Sequence, residues 1–405
     1  MQKIKNKKKS IYFIFAIFLI IIFSPNSGQT EDMKKIFERF IDTGSVIVTD
    51  CDNKIILEYD ADKQMIPAST IKILTSYFIL QKLGNDYKFF TDIYYANTTR
   101  DIYVKGYGDP YMVTEEIQKL ADLISSKIKV VNNIYVDDFF FENNIMVSGR
   151  LDSFNPYDAP LCALSANFNS ISVEYRDGEY FPLEGSLLLN EPVLRYLRKS
   201  GFTGSDRVNF SNDKKLPPIY FGEVLKKCLT LKKIKVNGVI ERKKVENPAL
   251  LFRFYNSNNL EQILIKMLKF SNNFMVNQIF MHIGTLEYGF PGNMNKSIYS
   301  FNTFIRPYNI LKNVRIDEAS GLSRNNRISA IELNYVLSLF DGYKNFLPER
   351  DGGYFKTGSL SDVSAIAGYY NSKKFGEVKI VILLNQKKNN RGILLQKVQS
   401  FLDGK

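Results

Sequence analysis

Three short polar runs carry the chemistry that this 405-residue sequence can perform. They are Ser69-Thr70-Ile71-Lys72, Ser271-Asn272-Asn273 and Lys356-Thr357-Gly358. Together they supply a hydroxyl nucleophile, an amine that can accept its proton, a second hydroxyl beside an amide, and a basic strand. The only histidine is His282, so a Ser-His-Asp triad would have to be built on that residue. The residue types therefore favour acyl transfer with a lysine as the base.

The first run places its serine and lysine on one face of a predicted helix. Pro67 is expected to begin this helix and Gly84 to end it. Ser69 and Lys72 are three residues apart, so their side chains project from the same side. A lysine held in a buried site loses its proton readily and can serve as a general base.

The Ser-x-x-Lys spacing is weak evidence alone, because it also occurs at Ser126 with Lys129 and at Ser211 with Lys214. Those pairs fall in a strand-like segment and a polar loop, where exposed side chains are the simpler interpretation. Ser69 differs because it lies in the first turn of an apolar helix. The N–H groups and partial positive charge of that turn favour an anion forming nearby.

The second run lies in a helical context and would by itself be taken for a polar helix joint. Its position between the other two runs makes it informative. A hydroxyl such as that of Ser271, placed beside a lysine, can pass a proton to a leaving nitrogen. The amide of Asn273 can orient both the lysine and a substrate.

The third run is the sharpest of the three and continues into Ser359 in a predicted strand. Gly358 would let a substrate backbone approach closely. Lys356 adds positive charge, while Thr357 and Ser359 offer hydroxyls to a terminal carboxylate. The backbone N–H groups of Ser359 and Ser69 could form an oxyanion hole. The alternative without a functional role is an edge lysine followed by a tight turn.

Periodicity predicts the elements that must position these runs. Helices are expected over 33–41, 260–270 (with helical periodicity continuing to 283), 330–340 and 392–402. Strands are expected over 46–48 and 55–57, which would form a hairpin, and over 354–357, 364–370 and 378–384. Residues 92–244 show a different sequence pattern. Short strands are predicted at 102–104, 129–136, 171–175 and 234–240, and helices at 192–199 and 220–229. This segment is interpreted as an inserted mixed region.

In this order the runs resemble the signature of penicillin-binding proteins and class A β-lactamases. More specifically, the chain resembles the low-molecular-weight D-alanyl-D-alanine carboxypeptidase/endopeptidase group of the penicillin-binding protein 4 type. Similarity continues across the chain, at 65–84, 106–110, 136–138, 159–169 and in the turn 318–324. One departure is Asn272, where the family commonly has aspartate. We expect this change to tune activity, since that position is not the one assigned proton transfer.

The resemblance implies an α+β fold: a β-lactamase/transpeptidase-like domain, with an antiparallel sheet flanked by helices and a helical lobe, formed by residues 31–91 and 245–405. Residues 92–244 would be the insertion. It also implies a penicillin-sensitive serine DD-peptidase that cleaves D-Ala-terminated or cross-linked peptidoglycan stem peptides. Ser69 would be the nucleophile, Lys72 its base, Ser271 and Asn273 the middle element, and 356–359 the substrate-binding strand. No metal or cofactor is expected.

Three alternatives remain open at this point. A β-lactamase-like hydrolase would use the same residues with fast deacylation, and β-lactams would then be substrates rather than covalent inhibitors. A peptidoglycan-binding protein could retain the scaffold without the chemistry. A non-peptidase esterase is also compatible with such a fold.

Composition narrows the location and the partners. Five lysines within residues 3–9 and an apolar run over 11–23 predict an export signal spanning residues 1–28, which places the protein in the periplasm; if retained, this segment would be a membrane anchor. The net charge is +12, but no block of basic residues marks a nucleic-acid-binding surface. Three cysteines, Cys51, Cys162 and Cys228, are too scattered for a zinc site and are expected to be buried.

Overall fold

The computed structural model describes residues 27–184, 189–210, 213 and 215–405. The basic and apolar parts of the predicted export signal lie outside these residues, so the signal remains a prediction. Among the helices within the described ranges, none combines the length and the apolar character that crossing a bilayer requires.

The helices and strands are numbered in chain order. The helices are α1 Ser27–Phe40, α2 Lys72–Leu83, α3 Thr114–Lys127, α4 Glu191–Ser200, α5 Leu216–Leu231, α6 Leu260–Phe270, α7 Asn273–Tyr288, α8 Met294–Ile305, α9 Ala330–Phe340 and α10 Arg391–Leu402. The strands are β1 Gly44–Asp50, β2 Ile55–Tyr59, β3 Phe90–Ala96, β4 Asp101–Gly106, β5 Val130–Val131, β6 Ile134–Asp137, β7 Ser170–Arg176, β8 Glu179–Pro182, β9 Ser205–Asn209, β10 Lys235–Val236, β11 Ile240–Arg242, β12 Ala249–Tyr255, β13 Glu349–Arg350, β14 Gly353–Leu360, β15 Val363–Ser372 and β16 Gly376–Leu384.

The larger sheet joins N-terminal strands to C-terminal strands. Its order is β13-β14-β15-β16-β1-β2, and every neighbouring pair is antiparallel. Successive side chains of β1 point to opposite faces, so Ile47 packs towards α2 and α9 while Val46 and Val48 pack towards α1 and α10. Because helices cover both faces, β1 and β16 are apolar on both sides.

A helical lobe formed by α2, α6, α7 and α8 shares one core with the inner face of this sheet. Phe78 of α2 makes edge-to-face contacts with Phe280 of α7 and Phe301 of α8, at centroid distances of 5.8 and 5.5 Å. Burying each ring contributes roughly 2–3 kcal/mol, and the contacts fix α2 against α7. The predicted fold class, an antiparallel sheet flanked by helices with a helical lobe, is confirmed.

The segment between α2 and α6 forms a mixed region with its own hydrophobic core. A five-stranded sheet of order β11-β6-β4-β3-β12 contains parallel and antiparallel pairs, and β8-β7-β9 form a smaller antiparallel sheet. This segment therefore has the mixed helix and strand content that was expected of the inserted region. Its boundaries remain a proposal, and the pairing of β12 with β3 favours an end after Tyr255 instead of at 244.

Some local predictions were wrong. The single strands expected over 129–136 and 234–240 are each divided in two, because Asn132-Asn133 and Asn237-Gly238 turn the chain between β5 and β6 and between β10 and β11. Two helices and five strands were not predicted at all: α3, α8, β3, β8, β9, β12 and β13. Cys51 is exposed in the turn between β1 and β2, whereas Cys162 and Cys228 are buried.

Candidate active site

Ser69 lies at the entrance to α2, where the chain changes from an extended segment to a helix. The expected helix after Pro67 begins with a single 3₁₀ turn, Ala68–Ile71, before α2 continues to Leu83. Ala68 has a φ of +46°, which turns the chain sharply just before the serine. Gly84 then ends the helix with a φ of +79°, as the sequence predicts.

The side-chain nitrogen of Lys72 is completely buried and lies within hydrogen-bond distance of three oxygen atoms. Its Nζ is 2.9 Å from Ser69 Oγ, 2.8 Å from Asn273 Oδ1 and 2.6 Å from the Ser320 carbonyl oxygen. Burial, together with the charge of nearby Lys356, holds the pKa of Lys72 well below its ordinary value, while Glu318 acts in the opposite direction. A neutral amine beside a serine hydroxyl can accept the serine proton.

The second run forms the joint between α6 and α7. Ser271 ends α6 in the left-handed conformation, with a φ of +53°, and Asn272 caps α7 by accepting a 2.9 Å hydrogen bond from Met275 N. Asn273 is therefore the first residue of α7, and its side chain reaches Lys72. The run is therefore a polar joint between two helices, and the same joint places the Asn273 side chain beside Lys72.

The third run lies on β14, directly beside the turn that carries the serine. A Cβ on Gly358 would lie only 2.7 Å from Ser69 N and 2.9 Å from Ala68 Cβ, so the close approach at this position requires glycine. Lys356 Nζ donates to Ser271 Oγ at 2.8 Å and to the Thr357 carbonyl oxygen at 2.8 Å. Burial and the nearby guanidinium groups of Arg350 and Arg391 lower the pKa of Lys356 to about 7.

These residues open onto one cleft of about 780 Å³. Its walls include Ser69, Ser271, Asn273 and Ser359 from the predicted site, together with Leu151 and Tyr157 from the inserted region and the segment 321–325. All eight predicted site residues thus lie on three adjoining segments, 69–72, 271–273 and 356–359, although Lys72 and Lys356 lie beneath the surface. The cleft leaves Ser69 accessible to a substrate.

Sequence reasoning missed the buried carboxylate that organises the turn behind Lys72. Glu318 is fully buried and accepts hydrogen bonds from the backbone N–H groups of three residues of the turn and from the side chains of two asparagines and one serine: Ser320 N, Gly321 N, Ser323 N, Asn277 Nδ2, Asn326 Nδ2 and Ser320 Oγ. The similarity noted at 318–324 was the available signal, but it assigned no role to Glu318.

The other candidate residues do not join the site. Ser126 Oγ donates to Leu123 O, and Lys129 Nζ donates to Ser125 O, both at exposed positions; Ser211 and Lys214 lie outside the described residues. His282 is buried between Tyr87 and Tyr107. In the described ranges, no three His, Cys, Asp or Glu side chains are grouped as metal ligands.

Comparison with known proteins agrees with this architecture. A family model described as the D-Ala-D-Ala carboxypeptidase 3 (S13) family matches residues 38–190 and 203–345. The matched ranges contain the first two runs and end before Lys356. A curated D-alanyl-D-alanine carboxypeptidase from Actinomadura sp. (strain R39) is 29% identical over 147 residues. That match covers 34% of this chain and spans only about a quarter (26%) of the relative's length.

Solved structures with the same fold cover nearly the whole chain. Penicillin binding protein 4 from Haemophilus influenzae has a TM-score of 0.73 at 18% identity, covering 92% of this chain and 98% of its own; a second structure of it contains a β-lactam. A predatory peptidoglycan endopeptidase from Bdellovibrio bacteriovorus has a TM-score of 0.52 at 16% identity, covering 88% and 90%. At these identities the likeness establishes the fold.

Proposed function

The chain belongs to the D-Ala-D-Ala carboxypeptidase 3 (S13) family of peptidases, and from that premise we propose that it is a penicillin-sensitive serine DD-peptidase. It would cleave D-Ala-terminated or cross-linked peptidoglycan stem peptides through an acyl-enzyme on Ser69. One observation carries this proposal: the buried amine of Lys72 lies 2.9 Å from Ser69 Oγ. If Lys72 were only a surface lysine beside a helix-capping serine, its side chain would be exposed to solvent.

Acylation would begin when Ser69 Oγ attacks the carbonyl carbon of the penultimate D-Ala and its proton passes to neutral Lys72. The Asn273 amide oxygen and the Ser320 carbonyl hold that amine in place, and they favour its protonated form as the proton arrives. Negative charge on the carbonyl oxygen would be stabilised by the backbone N–H groups of Ser69 and Ser359.

Collapse of the tetrahedral intermediate would break the C–N bond and needs a proton on the leaving nitrogen. Ser271 Oγ, held by Lys356 Nζ at 2.8 Å, would deliver that proton, and the proton taken up by Lys72 would restore it. The terminal D-Ala or the cross-linked partner would then leave as an amine. Water activated by Lys72 would hydrolyse the remaining ester and regenerate Ser69.

We further propose that the activity is periplasmic, which the proposed substrate and the predicted export signal support. The uncovered edge of β14 supports binding of an extended peptide: β13 pairs only with Gly353 and Tyr354, and within the described residues no strand covers Lys356 to Ser359. A peptide could add there as a further strand. β-Lactams, which mimic the D-Ala-D-Ala end, would acylate Ser69 and remain bound.

Labelling with a fluorescent penicillin tests the nucleophile. Wild-type protein should take up one label per chain, Ser69→Ala should take up none, and Ser126→Ala should label normally because Ser126 belongs to an unrelated Ser-x-x-Lys pair. Intact-mass measurement would identify the adduct. Labelling that persists in Ser69→Ala would refute the assignment, and rapid turnover of nitrocefin would favour a β-lactamase-like hydrolase.

Digestion of purified muropeptides tests the substrate. Mass spectrometry should detect loss of terminal D-Ala, conversion of cross-linked dimers to monomers, or both, and Ser69→Ala should produce neither change. A protein that binds peptidoglycan without releasing any product would instead be a wall-binding protein on a peptidase scaffold.

A further inference from the structure

Three chain segments meet at one end of the inserted region. α3 runs into β5 and α5 runs into β10, and β5 and β10 are adjacent parallel strands, so the C-terminal ends of both helices lie at the same end. The turn between β3 and β4 joins them there, because Asn132 N donates to the Arg100 carbonyl oxygen at 2.7 Å. We call this end, formed by residues 96–101, 122–133 and 231–239, the basic tip.

Positive charge exceeds negative charge on the basic tip. Its six cationic side chains are all exposed to solvent: Arg100, Lys127, Lys129, Lys232, Lys233 and Lys235. Its two acids are Asp101, which is buried and accepts a hydrogen bond from Asn133 N, and Asp122, which pairs with Lys232. Among the described residues, no carboxylate lies within ion-pair distance of the other five cations. Their charges can therefore attract an anionic partner.

Exposed aliphatic side chains lie among these cations. Leu231, at the end of α5 and directly before Lys232, is 65% exposed, and Val239, in the turn before β11, is 59% exposed. Leu123 on α3 is 43% exposed. Side chains of this kind gain free energy when they leave water for an apolar phase.

The backbone holds these charges and apolar groups in fixed positions. Three consecutive N–H groups of the turn between β10 and β11 donate to the segment between β5 and β6: Asn237 N to Val131 O at 3.1 Å, Gly238 N to Asn132 O at 2.8 Å and Val239 N to Asn133 Oδ1 at 3.0 Å. The basic tip can therefore meet a partner without first having to fold.

This combination of groups favours an anionic membrane surface over a nucleic acid. Lysines that are attracted to anionic headgroups, together with aliphatic side chains that enter the interface, are the two features of peripheral membrane binding. The three segments of the basic tip contain no Phe, Tyr or Trp, so they offer no ring on which a base could stack.

We propose that the basic tip docks the protein on a membrane that contains anionic phospholipids, with Leu231 and Val239 entering the headgroup region. The walls of the cleft come from other segments, so docking would leave the cleft open to a substrate. It would not require the predicted export signal to be retained. This inference goes beyond the proposed function and does not depend on the chemistry at Ser69.

Vesicle co-sedimentation tests the role of charge. Protein purified in the form that an expressing bacterium produces should sediment with vesicles containing phosphatidylglycerol and not with vesicles of phosphatidylcholine alone. The triple variant Lys129→Gln, Lys233→Gln and Lys235→Gln should lower the partition coefficient for the anionic vesicles by about a hundredfold.

The matched control removes three exposed lysines elsewhere in the chain, through Lys312→Gln, Lys373→Gln and Lys387→Gln, and should bind as wild type does. Equal binding by wild type and the basic-tip variant would overturn the proposal. Binding to both kinds of vesicle that neither triple variant changes would point to the export segment instead and would also count against the basic tip.

A second variant separates a membrane from a soluble polyanion. Leu231→Gln combined with Val239→Gln leaves every charge in place and should weaken binding to the anionic vesicles by about tenfold. Circular dichroism and thermal unfolding should be unchanged, because both side chains are largely exposed. If this variant binds the vesicles as tightly as wild type, the basic tip recognises charge alone and the membrane proposal is wrong.

Discussion

Lys72 donates a 2.6 Å hydrogen bond to the backbone carbonyl oxygen of Ser320. The contact joins the first turn of α2 to a segment almost 250 residues later in the chain. Because the acceptor belongs to the backbone, its position depends on the conformation of the turn that contains residue 320 and not on the side chain at that position. Glu318 stabilises this turn, because its carboxylate accepts hydrogen bonds from Ser320 N at 2.7 Å and Gly321 N at 2.7 Å.

Replacing Glu318 by glutamine should destabilise the protein and alter the pKa of Lys72, the proposed base. The new amide N–H₂ would face backbone N–H groups, and the unsatisfied donors should cost about 2–4 kcal/mol of unfolding free energy. Loss of the negative charge also removes an interaction that raises the pKa of Lys72. The acidic limb of the acylation rate should therefore move to lower pH.

The measurement is the pH dependence of penicillin acylation at a temperature where Glu318→Gln remains folded, with urea unfolding to give stability. Exposed Glu246→Gln makes the same change of charge and should leave both properties unaltered. A rate that falls by one factor at every pH would indicate that Glu318 only supports the turn.

Gly358→Ala should slow acylation while the fold survives. The added Cβ would lie 2.7 Å from Ser69 N and 2.9 Å from Ala68 Cβ, so β14 and the serine turn would have to separate. We expect the second-order rate constant for penicillin labelling to fall by about tenfold or more, since small displacements at a reacting centre are costly. Gly342→Ala is the matched control, because nothing lies within 4 Å of its added Cβ. Unchanged labelling by Gly358→Ala would show that the close approach is unimportant.

Asn272 is explained by its position at the start of α7, and its replacement by aspartate should be tolerated. The side chain accepts from Met275 N as an N-cap, which an aspartate does equally well, and a negative charge there is favoured by the helix dipole. Asn272→Asp should keep penicillin labelling within about threefold and raise stability by roughly 0.5 kcal/mol. Asn272→Ala should cost about 1 kcal/mol. Loss of labelling by a folded Asn272→Asp protein would contradict this interpretation.

Much of the fold follows from local periodicity. The helices predicted over 260–270 and 330–340 match α6 and α9 at both ends, because each has an apolar stripe and a capping residue before it. The three C-terminal strands were likewise anticipated, although each is longer than its apolar run. α3 buries Ile117, Leu120, Ala121 and Ile124 at helical spacing, so the sequence did contain a signal for this helix. In α8 the buried face includes Ser297 and Ser300, which interrupt the apolar pattern, and β12 is half exposed with irregular alternation.

The sequence singled out the residues that the structure brings together at the candidate site, but not the groups that support them. Ser69, Lys72, Asn273 and Lys356 belong to runs whose residue types are unusual together. The Ser320 carbonyl, the Glu318 carboxylate and the guanidinium groups act through contacts between distant segments, and no spacing in the sequence encodes those contacts. Only the folded arrangement places them beside the residues of the candidate site.

His282 should make the protein less stable in mild acid. The Tyr107 carbonyl can only accept, so His282 Nδ1 carries the hydrogen at 2.6 Å, and Nε2 accepts from the Tyr87 hydroxyl at 2.7 Å. Burial lowers the pKa of His282 from 6.5 to about 4, and the bond to Tyr107 offsets part of this effect. The folded protein therefore favours the neutral ring, so this stabilisation is complete above about pH 6.5 and decreases as the pH falls towards 4.

The expected loss is about 3 kcal/mol of unfolding free energy over that range, at roughly 1.4 kcal/mol per pH unit. Urea unfolding at pH 7.5, 6 and 5 would measure the first part of this loss, about 2 kcal/mol. His282→Gln keeps a donor and an acceptor but cannot titrate, so it should be less stable at pH 7.5 and show a shallower decline towards pH 5. Tyr87→Phe retains the imidazole and should keep the steep decline. Equal slopes for wild type and His282→Gln would mean that other groups control the acid sensitivity.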